Sequence, residues 1–197
     1  MPTRARTSEL FKRIHELIER GRLPNGDVPM ALATASGEGT PSARFVLLKV
    51  FDERGPIFYT NLKSRKGRDL AANPRVELLF YWPAIAHQVR IAGVIEPVAD
   101  STADAYWKTR PRESQLASAA SPQSEPLTHE ELAARIETLR RECEGRDVPR
   151  PAHWTGLRVV PNAIEFWHAG QFRFHERERW ERTSADEDAW EGAALAP

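Results

Sequence analysis

Apolar residues recur along this chain first at helical and then at strand spacing. Leu10, Phe11, Ile14, Leu17 and Ile18 fall on one stripe of residues 8 to 20, with Lys12, Arg13, Glu16 and Glu19 opposite. This pattern predicts a packing helix that Gly21 stops. From Pro29 the period shortens to two. Pro29 to Ala35 reads as a strand, which Ser36-Gly37-Glu38-Gly39 turns back into a second strand, Ala43 to Phe51, making a hairpin. The second run is nearly all apolar and stops at Asp52-Glu53-Arg54-Gly55, which predicts a strand buried on both faces. Pro56 to Asn61 follows as a strand. Ser64 then caps a short helix to Ala72, where Asn73-Pro74 ends it. Arg75 to Trp82 and His87 to Val98 form another strand pair, and in the latter Val89, Ile91, Gly93 and Ile95 share a face.

The middle of the chain is polar. Asp100 to Thr109 reads as a helix broken by Pro111, and RPRESQLASAASPQSEP as a loop-rich lid or connection. Thr128-His129-Glu130-Glu131 is a capping box opening a helix to about Gly145. Strand patterns return in Gly156 to Pro161, Ala163 to His168 and Gln171 to Trp180, the last long strand. Strands joined by tight turns with few helices between them predict a mainly β fold with peripheral helices, a predominantly antiparallel sheet closing as a barrel. The expected organisation is one domain over residues 1–197, with 1–8 flexible, 100–146 a helical or loop insertion, and 155–197 the C-terminal strands.

Charge narrows the function classes. With 28 basic and 28 acidic residues in 197, the formal net charge is zero, which argues against nonspecific binding to nucleic acid or anionic membranes. The one cysteine, Cys143, allows neither a disulfide framework nor a thiolate metal site. His168 and His175 lie on different predicted strands and there is no helical His-x-x-x-His pair, so no metal is expected. No run approaches membrane-spanning length and the N-terminus has no apolar leader core, so the expected location is cytoplasmic.

The cations are the candidate chemistry. Alternation puts Arg44 with Val46 and Leu48, and Lys49 with Phe45 and Leu47, so each face of a buried strand carries a charge that must be paired or meet a ligand. The helix start at Ser64-Arg65-Lys66 suits a phosphate; its plainer reading is a solvated surface helix. Tyr106, Arg110 and Ser114, four residues apart, can form a phosphate clamp, although Pro111 disfavours helix at Arg110 and an ordinary exposed helix end is the alternative. In Gln171 to Trp180, Phe172, Phe174 and Trp180 alternate with Arg173, His175, Arg177 and Arg179, a cationic row suited to a flat anionic ligand or to protecting a sheet edge.

In order, Arg44-Phe-Val-Leu-Leu-Lys49, Phe58-Tyr-Thr-Asn61, Ser64-Arg-Lys66, Asn73-Pro-Arg75, His87-Gln-Val89, Arg110-Pro-Arg-Glu-Ser114, Pro122-Gln-Ser124, Ile164-Glu-Phe-Trp167 and Arg173-Phe-His175 closely resemble the pyridoxine/pyridoxamine 5′-phosphate oxidase family. The likeness runs from about Glu9 to Pro197. It implies a split β-barrel homodimer with FMN at each of two sites across the subunit interface. It assigns FMN to Arg44, Phe45, Val46, Leu47, Leu48 and Lys49, to Tyr59, Thr60, Arg65 and Lys66, and to Gln88, Gln123, Ser124, Trp167 and Arg177. It assigns the substrate phosphate to Lys49, Tyr106, Arg110 and Ser114, and sets Arg173 and His175 over the pyridine ring as the catalytic pair. The implied reaction passes hydride from the substrate C4′ to flavin N5, giving pyridoxal 5′-phosphate, and dioxygen reoxidises the flavin with release of hydrogen peroxide.

The chain departs from the family pattern at four places, one being the absence of an Arg-x-x-Tyr pair in the short N-terminal arm. Ala119 replaces a tryptophan, Ala194 an arginine, and Phe174 the leucine between the paired arginine and histidine. An alternative is therefore a related flavin oxidase acting on another aromatic amine or reduced ring, as in phenazine biosynthesis. A non-catalytic flavin- or haem-binding barrel is the other; the complete Lys49, Tyr106, Arg110, Ser114 set favours the vitamin B6 substrate.

Overall fold

The fold is built around one long strand. In the computed structural model, which describes residues 3–183 and 188–197, Trp154–His168 runs as a single strand, β8. The elements before it are β1 (Thr3–Ala5), α1 (Thr7–Gly21), β2 (Pro29–Ala35), β3 (Pro41–Leu47), β4 (Val50–Asp52), β5 (Gly55–Asn61), α2 (Arg65–Ala72), β6 (Arg75–Trp82), β7 (His87–Pro97), α3 (Asp100–Thr109), α4 (Arg112–Ala120) and α5 (His129–Glu142). After it come β9 (Glu176–Arg182) and β10 (Trp190–Leu195). Every pairing among them is antiparallel. One edge of β8 is shared: its first half pairs with β5 and its second half with β9, while β7 runs along the other edge. The ladder β8-β7-β6-β2-β3 returns through β4 to β5, with Lys49 N–H donating to the Ile57 carbonyl at 2.9 Å, so a barrel closes and β9, β10 and β1 extend from it. The chain is a split barrel, mainly antiparallel β with peripheral helices.

Two strands had been expected where β8 is continuous. Pro161 lacks an N–H to donate, but it sits where the register with β7 shifts between Ala92 and Gly93, and such a bulge tolerates it. Gly93 is required there, because a Cβ would stand 2.3 Å from the Val160 carbonyl oxygen. Inside the barrel, Met30, Leu32, Phe58, Leu78, Phe80, Val89, Ile91 and Ile164 form one core with the stripe Leu10, Phe11, Ile14, Leu17 and Ile18 of α1. A second cluster, Trp107, Leu116, Cys143, Val148 and Trp154, holds α3, α4 and α5 against the start of β8. No helix among the described residues is long and apolar enough to cross a membrane.

Four further expectations are corrected. Residues 3–5 of the segment expected to be flexible pair with β10, Thr3 opposite Gly192; Met1 and Pro2 lie outside the described residues. Strand β3 is not buried on both faces. It ends at Leu47, pairs along its length with β2 alone, and leaves Phe45 77% exposed. The Pro-rich lid contains a helix, α4, because Pro111 occupies its N-cap and Pro122 follows its end, where neither breaks a hydrogen bond of the helix. Gln171 to Trp180 is not one strand either: Phe172 (φ 53°) and Arg173 (φ 66°) are left-handed, so alternation is broken before β9 begins. Arg173 and His175 therefore sit on a turn and do not continue the row of Arg177 and Arg179.

Candidate functional site

A cavity of about 550 Å³ opens between β3, β5, α3 and α4. It collects most of the first group of candidate residues: Arg44, Phe45, Val46, Leu47 and Lys49 from β3 and its end, Tyr59 and Thr60 from β5, Lys66 from α2, Tyr106 and Arg110 from α3 and its cap, and Gln123. Leu48 points instead into the core, and Arg65 is exposed at the first turn of α2. Ser124 follows Gln123 in a left-handed conformation, φ 74°. Ser114 is half-buried on α4 and does not line the cavity, whereas Ser118, one turn on, does.

One corner of the cavity gathers positive charge. Ser64 caps α2 by accepting from Gly67 N–H, and Lys66 Nζ donates to Ser64 Oγ at 2.9 Å and to Gln123 Oε1 at 2.8 Å. Lys66 is buried, and burial together with the charge of Arg44 pulls its ammonium down to about 8. Arg44 is braced by Thr34 Oγ1 (2.7 Å), Ser42 Oγ (2.7 Å) and the Leu32 carbonyl (3.2 Å), with Asp69 at 3.7 Å. Burial lowers the Arg44 guanidinium, against the pull of Asp69 and with help from Arg65. Lys49, expected to be buried, keeps its side chain 29% exposed and lies 3.5 Å from Asp27. Concentrated, partly desolvated cations beside a helix N-terminus fit an anion such as a phosphate.

The other corner is aromatic and centred on Arg110. Tyr59 and Tyr106 stack at 3.9 Å, and Trp154 stacks on Tyr59 at 5.1 Å. The Arg110 guanidinium lies 4.9 Å above the Trp154 ring and donates through Nη2 to Ser118 Oγ at 2.9 Å. Its Nη1 is buried without a partner among the described residues, and so is Thr60 Oγ1. An orphaned guanidinium donor is costly, and burial lowers the Arg110 pKa despite the nearby Tyr106 hydroxyl. Orphaned polar atoms beside stacked rings fit a phosphorylated aromatic ligand. Sequence spacing missed Ser118, because the helix that brings it one turn beyond Ser114 was read as loop.

The second group assembles on the outer face of the sheet. Antiparallel register puts Gln88, Trp167 and Arg177 directly opposite one another across β7, β8 and β9, so their side chains form one row. The ring of His175, in the turn before β9, lies 4.8 Å from that of Trp167, and Gly170 N–H donates to His175 Nδ1 at 3.4 Å. Arg173 is exposed at its left-handed position. Trp154 beside the cavity and Trp167 in the row stand at opposite ends of β8, roughly 40 Å apart along the strand at about 3.3 Å per residue.

Known proteins resemble the chain over its whole length. Residues 21–143 match the family described as pyridoxamine 5′-phosphate oxidase, and residues 154–197 match the pyridoxine 5′-phosphate oxidase C-terminal dimerisation region. A pyridoxine/pyridoxamine 5′-phosphate oxidase of Myxococcus xanthus is 47% identical over 98% of this chain and 90% of its own length. One from Novosphingobium aromaticivorans is 49% identical over 90% of this chain and 87% of its own. Among solved structures, PhzG from Burkholderia lata 383, in complex with tetrahydrophenazine-1-carboxylic acid, superposes with a TM-score of 0.85 at 34% identity, covering 98% of this chain and 93% of its own. A pyridoxamine 5′-phosphate oxidase-related, FMN-binding protein of Nostoc punctiforme shares the fold, with a TM-score of 0.76 at 18% identity over 94% of this chain and 96% of its own. The two matched segments take in the cation-lined cavity and the Gln88, Trp167, Arg177 row alike, and the chain belongs to the pyridoxamine 5′-phosphate oxidase family.

Proposed function

We propose that this chain is an FMN-dependent oxidase that converts pyridoxine 5′-phosphate or pyridoxamine 5′-phosphate to pyridoxal 5′-phosphate, a cytoplasmic enzyme of vitamin B6 metabolism. The observation that carries this reading is the pair of cationic corners in one cavity, Arg44 with Lys66 and Arg110 with Tyr106, beside an aromatic wall. Two phosphates, one on a cofactor and one on a substrate, match them. Flavin, when bound, supplies a two-electron acceptor that dioxygen can reoxidise. The protein's part is to bind and to orient. Arg44, Lys66, Arg65 and Thr60 hold the cofactor phosphate; Arg110, Tyr106 and Lys49 hold that of the substrate, with Ser114 or Ser118 as the hydroxyl partner. Arg173 and His175 orient the ring.

The active form we infer is a homodimer, each chain one domain. The two groups of residues lie at opposite ends of β8, so a site needing both draws the cavity from one copy and the Gln88, Trp167, Arg177 row with its adjoining turn from the other. The exposed Phe45 (77%), Phe172 (90%) and Phe174 (77%) support a covered face, as does the match to a dimerisation region. The second reading is oxidation of a reduced tricyclic acid, favoured by the likeness to PhzG and by Ala119, a small residue packed against the Trp154 cluster. Anaerobic mixing of the FMN-loaded protein with each substrate separates the two. Rapid bleaching of the flavin by pyridoxamine 5′-phosphate supports the first reading; bleaching only by a tetrahydrophenazine carboxylate overturns it.

A further inference from the structure

Glu165 on the outer face is almost fully buried, at 4% exposure, beside Arg90 and Arg177. It faces Arg90 across β7 and Arg179 across β9, one row below Gln88, Trp167 and Arg177. Each neighbouring arginine has another acid: Arg90 Nε donates to Glu77 at 2.5 Å and Arg179 Nε to Glu181 at 3.0 Å. Arg90 Nη1 reaches Glu165 Oε2 only at 3.5 Å. The closer bonds come from Arg177, whose Nε and Nη2 donate to Glu165 Oε1 at 3.1 and 2.9 Å. Arg177 Nη1 donates to the Ala196 carbonyl at 3.1 Å.

A guanidinium has five N–H donors in a fixed plane. Three of those of Arg177 are engaged by Glu165 and Ala196, which fixes the plane and leaves one donor on each terminal nitrogen. One donor on each terminal nitrogen, unengaged among the described residues, can serve as a fork for a planar, acceptor-rich edge. We propose that Glu165 is a positioning residue that clamps Arg177 so that this fork meets the carbonyl-bearing edge of the flavin ring. The proposal rests on the FMN reading above. It explains why this carboxylate is kept buried on a sheet face where the neighbouring acids Glu77 and Glu181 are more exposed.

The test is FMN affinity of the full-length protein, measured by quenching of flavin fluorescence, for Glu165→Gln, Arg177→Gln, the double variant and Arg90→Gln. Losing a hydrogen bond to a charged group predicts about a ten- to hundredfold weaker Kd for Glu165→Gln and for Arg177→Gln. The double variant then falls no further than Arg177→Gln alone, and Arg90→Gln binds FMN as the parent does. If Arg177→Gln weakens binding and Glu165→Gln does not, or if the two losses multiply, the positioning role is overturned. If Arg177→Gln leaves affinity unchanged, the assignment of Arg177 to FMN fails and the proposal fails with it. Thermal unfolding run in parallel separates a purely structural part, in which Glu165→Gln and Arg90→Gln both lower Tm while Kd stays fixed. Should Glu165→Gln not fold, Glu165→Asp keeps the charge but withdraws it from Arg177, and an unchanged Kd there also overturns the role.

Discussion

Lys66 Nζ donates to Gln123 Oε1 at 2.8 Å, tying the start of α2 to the segment after α4 across the mouth of the cavity. The ammonium is thereby held at a buried position beside Arg44, where it is pulled down to about 8.

That shift gives anion binding a pH dependence. Below about 8 Lys66 is charged and FMN affinity should be nearly constant from pH 6.5; above it, affinity should weaken by up to about tenfold per pH unit as the proton is lost. Lys66→Met should bind weakly throughout and show no break near 8. The unliganded protein should behave in the opposite sense. Between about 8 and the ordinary 10.5, the folded state binds fewer protons at Lys66 than the unfolded state, so this group's contribution to stability rises with pH. Denaturant titrations of the parent and Lys66→Met across that window check the sign.

Arg110 carries the substrate end. Its Nη1 is buried without a partner among the described residues, so Arg110→Met removes an unsatisfied donor from the unliganded protein. Stability of the unliganded protein should stay level or rise. KM for a phosphorylated pyridine should increase by about tenfold or more, from loss of a charge-assisted hydrogen bond, while FMN affinity holds. Comparing Ser114→Ala with Ser118→Ala decides which hydroxyl serves the phosphate: the geometry favours Ser118, which bonds Arg110 at 2.9 Å.

The turn between β8 and β9 should be separable from flavin binding. A Cβ at Gly170 would stand 1.6 Å from the Phe174 carbonyl oxygen, so Gly170→Ala must move the segment that holds Arg173 and His175. Turnover should fall steeply in Gly170→Ala and in Arg173→Ala, with flavin content nearly unchanged. Equal loss of both properties in Arg173→Ala would contradict its role in orienting the substrate.

Much of this fold is legible in the chain. Residues 29–35 and 75–82 are short, mostly apolar runs between clear turn residues, and both strands occur with those bounds. The helix α1 follows from its stripe, and α2 from Ser64 and Asn73. Errors arose where local pattern and tertiary setting diverge. An apolar run such as Ala43 to Leu47 signals burial without saying what covers it, and in this chain only β2 flanks the strand. Prolines at 111 and 122 read as helix breakers, yet they bracket α4 from outside. The left-handed pair Phe172 and Arg173 carries no glycine or asparagine to announce it, so the sequence pattern reads as strand. Cross-strand register alone aligns Gln88, Trp167 and Arg177, and sequence spacing could not have set them in one row.

The most direct measurement is aerobic turnover of the FMN-loaded protein with pyridoxine 5′-phosphate, following pyridoxal 5′-phosphate and hydrogen peroxide together. Both should appear in equal amounts, and Arg110→Met should slow the reaction by about tenfold or more at low substrate concentration. Bound flavin with neither product, under conditions where a known oxidase of this family turns over, would contradict the oxidase reading.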